Sequence, residues 1–364
     1  MTSVTTLTPL EDLRTWMSRL NLDAVYITKP ISIAYLTGFH AEPFERLMAL
    51  AVRLDGATLI VPALEREKAV NHAASVEVVS WRDGQDPYGL VRDALDGCVE
   101  VGVEKEHLSL QAAEMLLART SAREMADASP ELRRLRRTKN PTELEKLARA
   151  ATITDAVGEE IIVRLRAGQT ELEVSMMIGS AIGAHGGTLA FESLVQSGPN
   201  SALPHIRPTS RKLSAGDFVL LDYGAAFDGY NADTTLMAVI GEPSEKHTEI
   251  HRLVLAAHDA GIAAVRPGIT TGAVDAAARK LIEAAGMGEH FFHRVGHGLG
   301  LEAHEDPSLD PGSVTVLETG MVFTIEPGIY IPGWGGVRLE DDVVVEPSGC
   351  RLLTMADRSL RIIK

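Results

Sequence analysis

Hydrophobic and polar positions along the chain fall into two regimes. Over the first third, short apolar runs at Ala24–Thr28 (AVYIT) and Ala57–Pro62 (ATLIVP) alternate with amphipathic stretches at Leu10–Leu20 and Tyr88–Leu95. Buried strands interleaved with helical patterns predict an α/β domain. A basic run follows, Arg133, Arg134, Arg136, Arg137 and Lys139, and reads as a solvated face. Next comes Asn140-Pro141-Thr142-Glu143, with a cap residue, a proline at the first helical position and an acid in the first turn, which predicts a helix start. The domain boundary is expected near residue 135, giving one domain over 1–135 and a second over 136–364.

The second regime repeats itself. Arg166-Ala-Gly168-Gln-Thr170, with Val174 after it, is echoed by Arg266-Pro-Gly268-Ile-Thr270, with Val274 after it, an offset of 100 residues. Leu213-Ser-Ala-Gly216 leading into an apolar strand that ends at Asp222 is echoed by Leu317-Glu-Thr-Gly320 and a strand that ends at Glu326, an offset of 104. Ordered matches of this kind predict two similar halves, each two helices followed by a hairpin. The expected fold of residues 136–364 is therefore α+β, with a pseudo-two-fold internal repeat and an antiparallel sheet.

Composition then narrows the classes. The chain has 364 residues, 35 Lys+Arg against 50 Asp+Glu, a net charge of −15, 45% hydrophobic and 23% charged residues. That balance fits a globular protein of about two domains. It argues against a nucleic-acid or anionic-membrane partner, which needs Lys/Arg patches. Only Cys98 and Cys350 occur, far apart, so neither a disulfide framework nor a cysteine-built zinc site is expected, and a reducing cytoplasm is the expected compartment. Met1 to Met17 is Thr-rich, carries Glu11 and Asp12, and lacks the basic start and apolar run of a signal peptide. Apolar stretches such as Leu47–Val52 are too short to span a bilayer.

Each predicted hairpin carries two acids. Asp222 and Asp233 flank the turn signal Asp228-Gly229, and Glu326 and Glu340 flank Gly333, so each pair is expected to lie nearly opposed across two strands. Facing acids repel and are costly to desolvate unless a positive charge lies between them. These four adjoin core-like runs, Val219–Leu221 and Val322–Ile325, in both halves. Four convergent carboxylates suit hard divalent cations, and two ions sharing bridging carboxylates is the natural count. Near them in sequence, His293, His297 and His304 lie in a Gly-rich segment with Gly296, Gly298 and Gly300, where a helix is unfavourable. His205 lies on a turn-rich segment before the first acidic hairpin. Taken singly, each histidine is an ordinary surface or core residue; as a set they join the proposed centre.

The stretches LLDYG (220–224), NADTT (231–235), GHGLGLEAHED (296–306), TIEPGIY (324–330) and VRLEDD (337–342) closely resemble the Xaa-Pro peptidases of the pita-bread metallopeptidase family (M24B), which includes prolidases and aminopeptidases P. ISIAYLTGF (31–39) is similar to the smaller, creatinase-like N-terminal domain of the same enzymes. The resemblance implies five metal ligands, Asp222, Asp233, His297, Glu326 and Glu340, with Asp233 and Glu340 bridging two ions. It implies manganese, with cobalt or zinc able to substitute, and a homodimer. Glu326 would move the proton, His205 and His304 would stabilise the oxyanion, and His293 and Arg338 would contact substrate. Methionine aminopeptidases space their last two acids more widely, and creatinases lack the metal-binding acids. An inactive paralogue serving as a binding module would have lost ligands, and none is lost here.

The resemblance implies cleavage between an N-terminal residue and proline, in Xaa-Pro dipeptides or, alternatively, in longer Xaa-Pro-Yaa peptides. Several small prolidases carry an arginine just after the His-Glu-x-Pro stretch, for the substrate's terminal carboxylate. Here that residue is Ser308. Arg46, in the N-terminal domain, is one candidate replacement, since in dimers of this family that domain can reach the partner's active site.

Overall fold

The computed structural model describes residues 8–364; Met1–Leu7, part of the stretch read for targeting signals, lies outside the described residues. The chain divides into two compact units, one ending at Arg136 and the other spanning Arg137–Lys364. In the first, six strands form a mixed sheet in the order Glu77–Trp81, Ala57–Pro62, Ala49–Arg53, Ala24–Ile27, Glu100–Val103, Glu124–Asp127. Ala24–Ile27 is apolar throughout because helices cover both of its faces. Leu13 and Met17 of the helix Pro9–Leu20 pack with Val25 and Ile27 on one side, and Val91 and Leu116 pack with Ala24 and Tyr26 on the other.

In the second unit the helix Pro141–Arg164 starts as its sequence predicts. The Asn140 side chain accepts the Glu143 N–H at 3.0 Å, and the Glu143 carboxylate accepts the Asn140 N–H at 2.7 Å. The basic run before it is not a solvated face. Its first four arginines belong to the helix Ser129–Arg137, and Lys139, only 5% exposed, lies 2.7 Å from the Glu305 carboxylate. Charge alone pointed to solvent; a buried partner 166 residues along the chain reverses that.

The internal repeat is present down to single hydrogen bonds. Helices Pro141–Arg164 and Glu171–Ala184 are matched by Glu245–Ala264 and Thr271–Ala284. Between the members of each pair, Gly168 and Gly268 both adopt φ +87°, a left-handed turn that glycine permits. The Gly168 N–H donates to the Leu213 carbonyl at 2.8 Å, and the Gly268 N–H to the Leu317 carbonyl at 2.9 Å. Strands Leu194–Ser197, Phe218–Tyr223 and Thr234–Ile240 pair antiparallel in that order in the first half. His297–Gly298, Val322–Ile325 and Asp341–Glu346 do so in the second. A bridge between Thr235 and Glu340 joins the halves. Each half buries its own helices: Ile153, Val157 and Ile161 pack on Val219 and Leu221, and Ile250, Val254 and Ala257 pack on Phe323 and Ile325.

The register corrects one expectation. Asp228 and Gly229 take φ +50° and +83°, a two-residue turn, with Phe227 paired to Tyr230. Continued, that register sets Asp222 opposite Thr235 and leaves Asp233 two residues away on the same face. Asp222 and Asp233 are therefore diagonal neighbours rather than a facing pair. In the other hairpin Gly328 pairs with Arg338 and Ile325 with Asp341, so Glu326 and Glu340 do face each other. Among the described residues no helix is long and apolar enough to cross a membrane.

Candidate active site

The strand period of two places Asp222, Asp233 and Thr235 on one face of the first hairpin, and Glu326, Arg338 and Glu340 on one face of the second. The Thr235–Glu340 bridge brings those faces together. The result is a cavity of about 510 Å³ in the second unit, lined by all five residues expected to bind metal and by His205, His293, His304 and Arg338. Arg46 is not among its lining residues. It lies in the N-terminal unit, where Asp83 takes its Nε and Nη2 at 3.0 and 2.9 Å and Glu45 lies 2.9 Å from Nη1.

Asp233, His297 and Glu340 are buried, and each presents a potential ligand atom within 4.8 Å of the others. His297 Nε2 lies 3.3 Å from Glu326 Oε1 and 3.9 Å from Asp233 Oδ2. Gly296 and Gly298 let the backbone approach its neighbours so closely that a side chain at either would strike Thr324 or Asp306. Its Nδ1 faces the Gly298 carbonyl at 3.1 Å, which holds the ring with Nε2 toward the acids. Asp233 Oδ1 is buried with no hydrogen-bond partner among the described residues. Oxygen and imidazole donors, an orphaned buried carboxylate oxygen and too few compensating cations fit divalent ions.

The electrostatics point the same way. Burial, then Glu340, Asp222, Asp342 and Glu326, push Asp233 well above the usual carboxylate range. Burial and then Glu326 and Asp222 do the same to Glu340. Burial lifts Glu326 to about 7 against the pull of Arg338. His297 is held well below its ordinary value, first by burial and then by His304, whose ring centroid is 4.0 Å away. Burial lowers His304 as well and takes His293 down to about 4. These histidines are neutral at pH 7, as a metal-ligating imidazole must be.

Sequence reasoning overlooked several residues. Thr235 Oγ1 donates to Glu340 Oε2 at 2.6 Å and accepts from Arg338 Nε at 3.0 Å. Tyr330 Oη meets Arg338 Nη1 at 2.9 Å and His293 Nε2 at 3.0 Å. Arg338 Nη2 donates to Asp222. Every guanidinium nitrogen of Arg338 thus bonds a protein group, so Arg338 acts first as a tie across the site. Any substrate contact it makes uses the second hydrogens on Nη1 and Nη2. Arg294 also lines the cavity, and its Nη1 donates to Ser308 Oγ at 2.8 Å. It thus stands beside Ser308, the position at which several small prolidases carry an arginine. Strand alternation puts Thr235 on the face of Asp233 without marking its hydroxyl as engaged, and nothing in the pattern points to Arg294.

A duplicated α+β unit with this acid–histidine cavity between its halves, following a mixed α/β domain, defines a pita-bread metallopeptidase. Comparison with known proteins agrees. The model of metallopeptidase family M24 matches residues 145–347, and that of the creatinase/prolidase N-terminal domain matches residues 9–138. A protein named Xaa-Pro dipeptidase from Lactobacillus helveticus is 38% identical over 362 residues, 97% of this chain and 98% of its own. The structure of an Xaa-Pro dipeptidase from Bacillus anthracis superposes with a TM-score of 0.93 at 34% identity, covering 98% of this chain and 99% of that one. The X-Pro aminopeptidase from Thermotoga maritima gives a TM-score of 0.89 at 30% identity, over 97% and 99% of the two chains. The chain belongs to metallopeptidase family M24.

Proposed function

We propose that the protein is a dinuclear metal-dependent peptidase that hydrolyses the bond between an N-terminal residue and proline, with Xaa-Pro dipeptides as its main substrates. The observation that carries this is the under-neutralised set of Asp222, Asp233, His297, Glu326 and Glu340, all but Glu326 buried, in a cavity of peptide size. These five would hold two divalent ions, Mn²⁺ foremost with Co²⁺ or Zn²⁺ able to substitute. When bound, such ions supply Lewis acidity and an activated water.

The chain's own residues do the rest. Glu326 Oε1 is engaged by Thr324 Oγ1 at 3.3 Å, leaving Oε2 to take the proton of the attacking water and deliver it to the departing proline nitrogen. His304 and His205 donate N–H bonds to the oxyanion. Proline nitrogen in a peptide carries no N–H, so specificity cannot come from a strand-like backbone bond there. It comes instead from a ring-shaped wall, for which neutral His293, packed edge-to-face with Phe291 and Phe292 and tilted against Tyr330, is suited. Arg294, steadied by Ser308, offers a positive charge in the same cavity for a dipeptide's terminal carboxylate.

The alternative, an aminopeptidase P acting on Xaa-Pro-Yaa, is favoured by Ser308 standing where several small prolidases have arginine. Hydrolysis of a Xaa-Pro dipeptide and of the matched tripeptide, each with Mn²⁺, Co²⁺ or Zn²⁺ restored to chelated protein, separates the two. The dipeptide is expected to be cleaved with the higher kcat/KM; preference for the tripeptide would overturn that choice. A homodimer in the cytoplasm is the expected setting, and sedimentation of the loaded protein tests the dimer.

A further inference from the structure

The loop that follows the strand Leu194–Ser197 carries His205 to the cavity wall, and two buried side chains with no other part in the proposed chemistry hold it there. Gln196, 0% exposed, donates from Nε2 to the Pro204 carbonyl at 3.0 Å and to the Ile206 carbonyl at 3.1 Å. These are the carbonyls of the two residues that flank His205. The amide's orientation is fixed by this contact, since the flipped form would set its oxygen against two carbonyl oxygens. Its own Oε1 is left buried with no hydrogen-bond partner among the described residues. An apolar side chain of similar volume would avoid stranding that oxygen, so what the site keeps is the NH₂ group.

Glu171, also 0% exposed, closes the base of the loop. Its carboxylate accepts from the Ser197 N–H and hydroxyl at 2.8 and 2.7 Å, from Asn200 Nδ2 at 3.1 Å, and from the Thr209 N–H and hydroxyl at 3.0 and 2.6 Å. One carboxylate therefore ties residues on both sides of His205, and one amide grips the carbonyls of its two neighbouring residues.

The internal repeat gives Gln196 a meaningful position. Val219 and Phe323 are equivalent by the same offset that relates Leu213 to Leu317. Val219 pairs with Ser197, and Phe323 pairs with Gly298. One residue earlier on each strand lie Gln196 and His297. In the second half this position sends an imidazole directly into the centre; in the first it sends an amide to the loop that presents His205. We infer that Gln196 is a positioning residue for His205, setting where its imidazole meets the substrate oxygen, with Glu171 anchoring the loop beneath it. The inference rests on the oxyanion role proposed above for His205.

The test is a double-mutant cycle on the full-length, Mn²⁺-loaded protein with Gln196→Met, which keeps volume and removes the donors, and His205→Ala. Gln196→Leu serves if the methionine variant folds poorly. Bound metal and amide hydrogen exchange are measured alongside kcat and KM. We expect Gln196→Met to lower kcat about 10- to 100-fold through misplacement of one group, with KM and metal content near wild type. Exchange should quicken over residues 199–209, and the substitution should cost nothing further in the His205→Ala background. An equal loss in both backgrounds, or wild-type kcat in Gln196→Met while His205→Ala is impaired, would overturn the inference and leave the role of His205 standing. Wild-type kcat in His205→Ala would remove that role and the inference together.

Discussion

Thr235 fixes two functional groups with one oxygen. By donating to Glu340 Oε2 it turns the other Glu340 oxygen toward the cavity, and by accepting from Arg338 Nε it steadies the cation beside Asp222. Supporting contacts of this kind are typically worth 10- to 100-fold in metal affinity. Thr235→Val should therefore weaken Mn²⁺ binding by about that factor, read by titrating chelated protein; unchanged affinity would make the contact incidental. If Glu326 moves the proton as proposed, Glu326→Ala should lower kcat on a Xaa-Pro dipeptide by about 10²- to 10⁴-fold with an unaltered circular dichroism spectrum. At this scale the sequence was informative wherever a residue type has a narrow chemistry. Buried acids beside apolar runs and histidines among glycines stood out at once. Thr235 and Tyr330 did not, because hydroxyls occur everywhere and only three-dimensional contact shows which are engaged.

Among the elements, the helix start at Asn140 and the two-residue turn at Asp228-Gly229 were legible because each rests on local backbone chemistry. Register was legible in the second hairpin, where Glu326 faces Glu340 as expected, but not in the first. There, counting outward from the turn signal places Asp222 nearly opposite Asp233, whereas the strand pairing sets Asp222 against Thr235. In a sheet, a shift of two residues preserves every face and so leaves no trace in the hydrophobic pattern. Long-range partners were equally invisible, as the buried pair Lys139–Glu305 illustrates. Its side chains are 2% and 5% exposed, so removing the cation strands an acid next to the segment bearing His304. Lys139→Met is expected to destabilise the protein by about 3–5 kcal/mol in denaturant unfolding, with much of the loss restored when Glu305 is also made apolar. A loss under ~1 kcal/mol would mean that the pair is hydrated in solution.

For the molecule as a whole, the acidic centre couples folding to pH and metal. Carboxylates raised in the folded state hold protons that the unfolded chain releases, so their contribution is complete below the unfolded values near 4.5 and is lost as pH climbs through the folded ones. Glu326 is raised to about 7, and Asp233 and Glu340 are raised with it. The lowered His293, His297 and His304 slope the other way, but only below their ordinary value of 6.5. Between about pH 6.5 and the folded values of these acids, about 7 for Glu326, the chelated protein should therefore lose about 1.4 kcal/mol per pH unit for each carboxyl that is protonated when folded and ionised when unfolded. Saturating Mn²⁺ should flatten that slope and add about 2.7 kcal/mol at a hundred times its Kd. Denaturant midpoints across that range, with and without chelator, check both; a flat profile in the chelated protein would contradict the burial of these acids. The bridge between Thr235 and Glu340 has a consequence for ancestry as well. Each half supplies two of the four acids, so a chain the length of one half could gather all four only by meeting a second copy of itself. Joining the halves in one chain makes that meeting independent of concentration. It also releases them from being identical, and equivalent positions can then take up unlike tasks, as Gln196 and His297 have done.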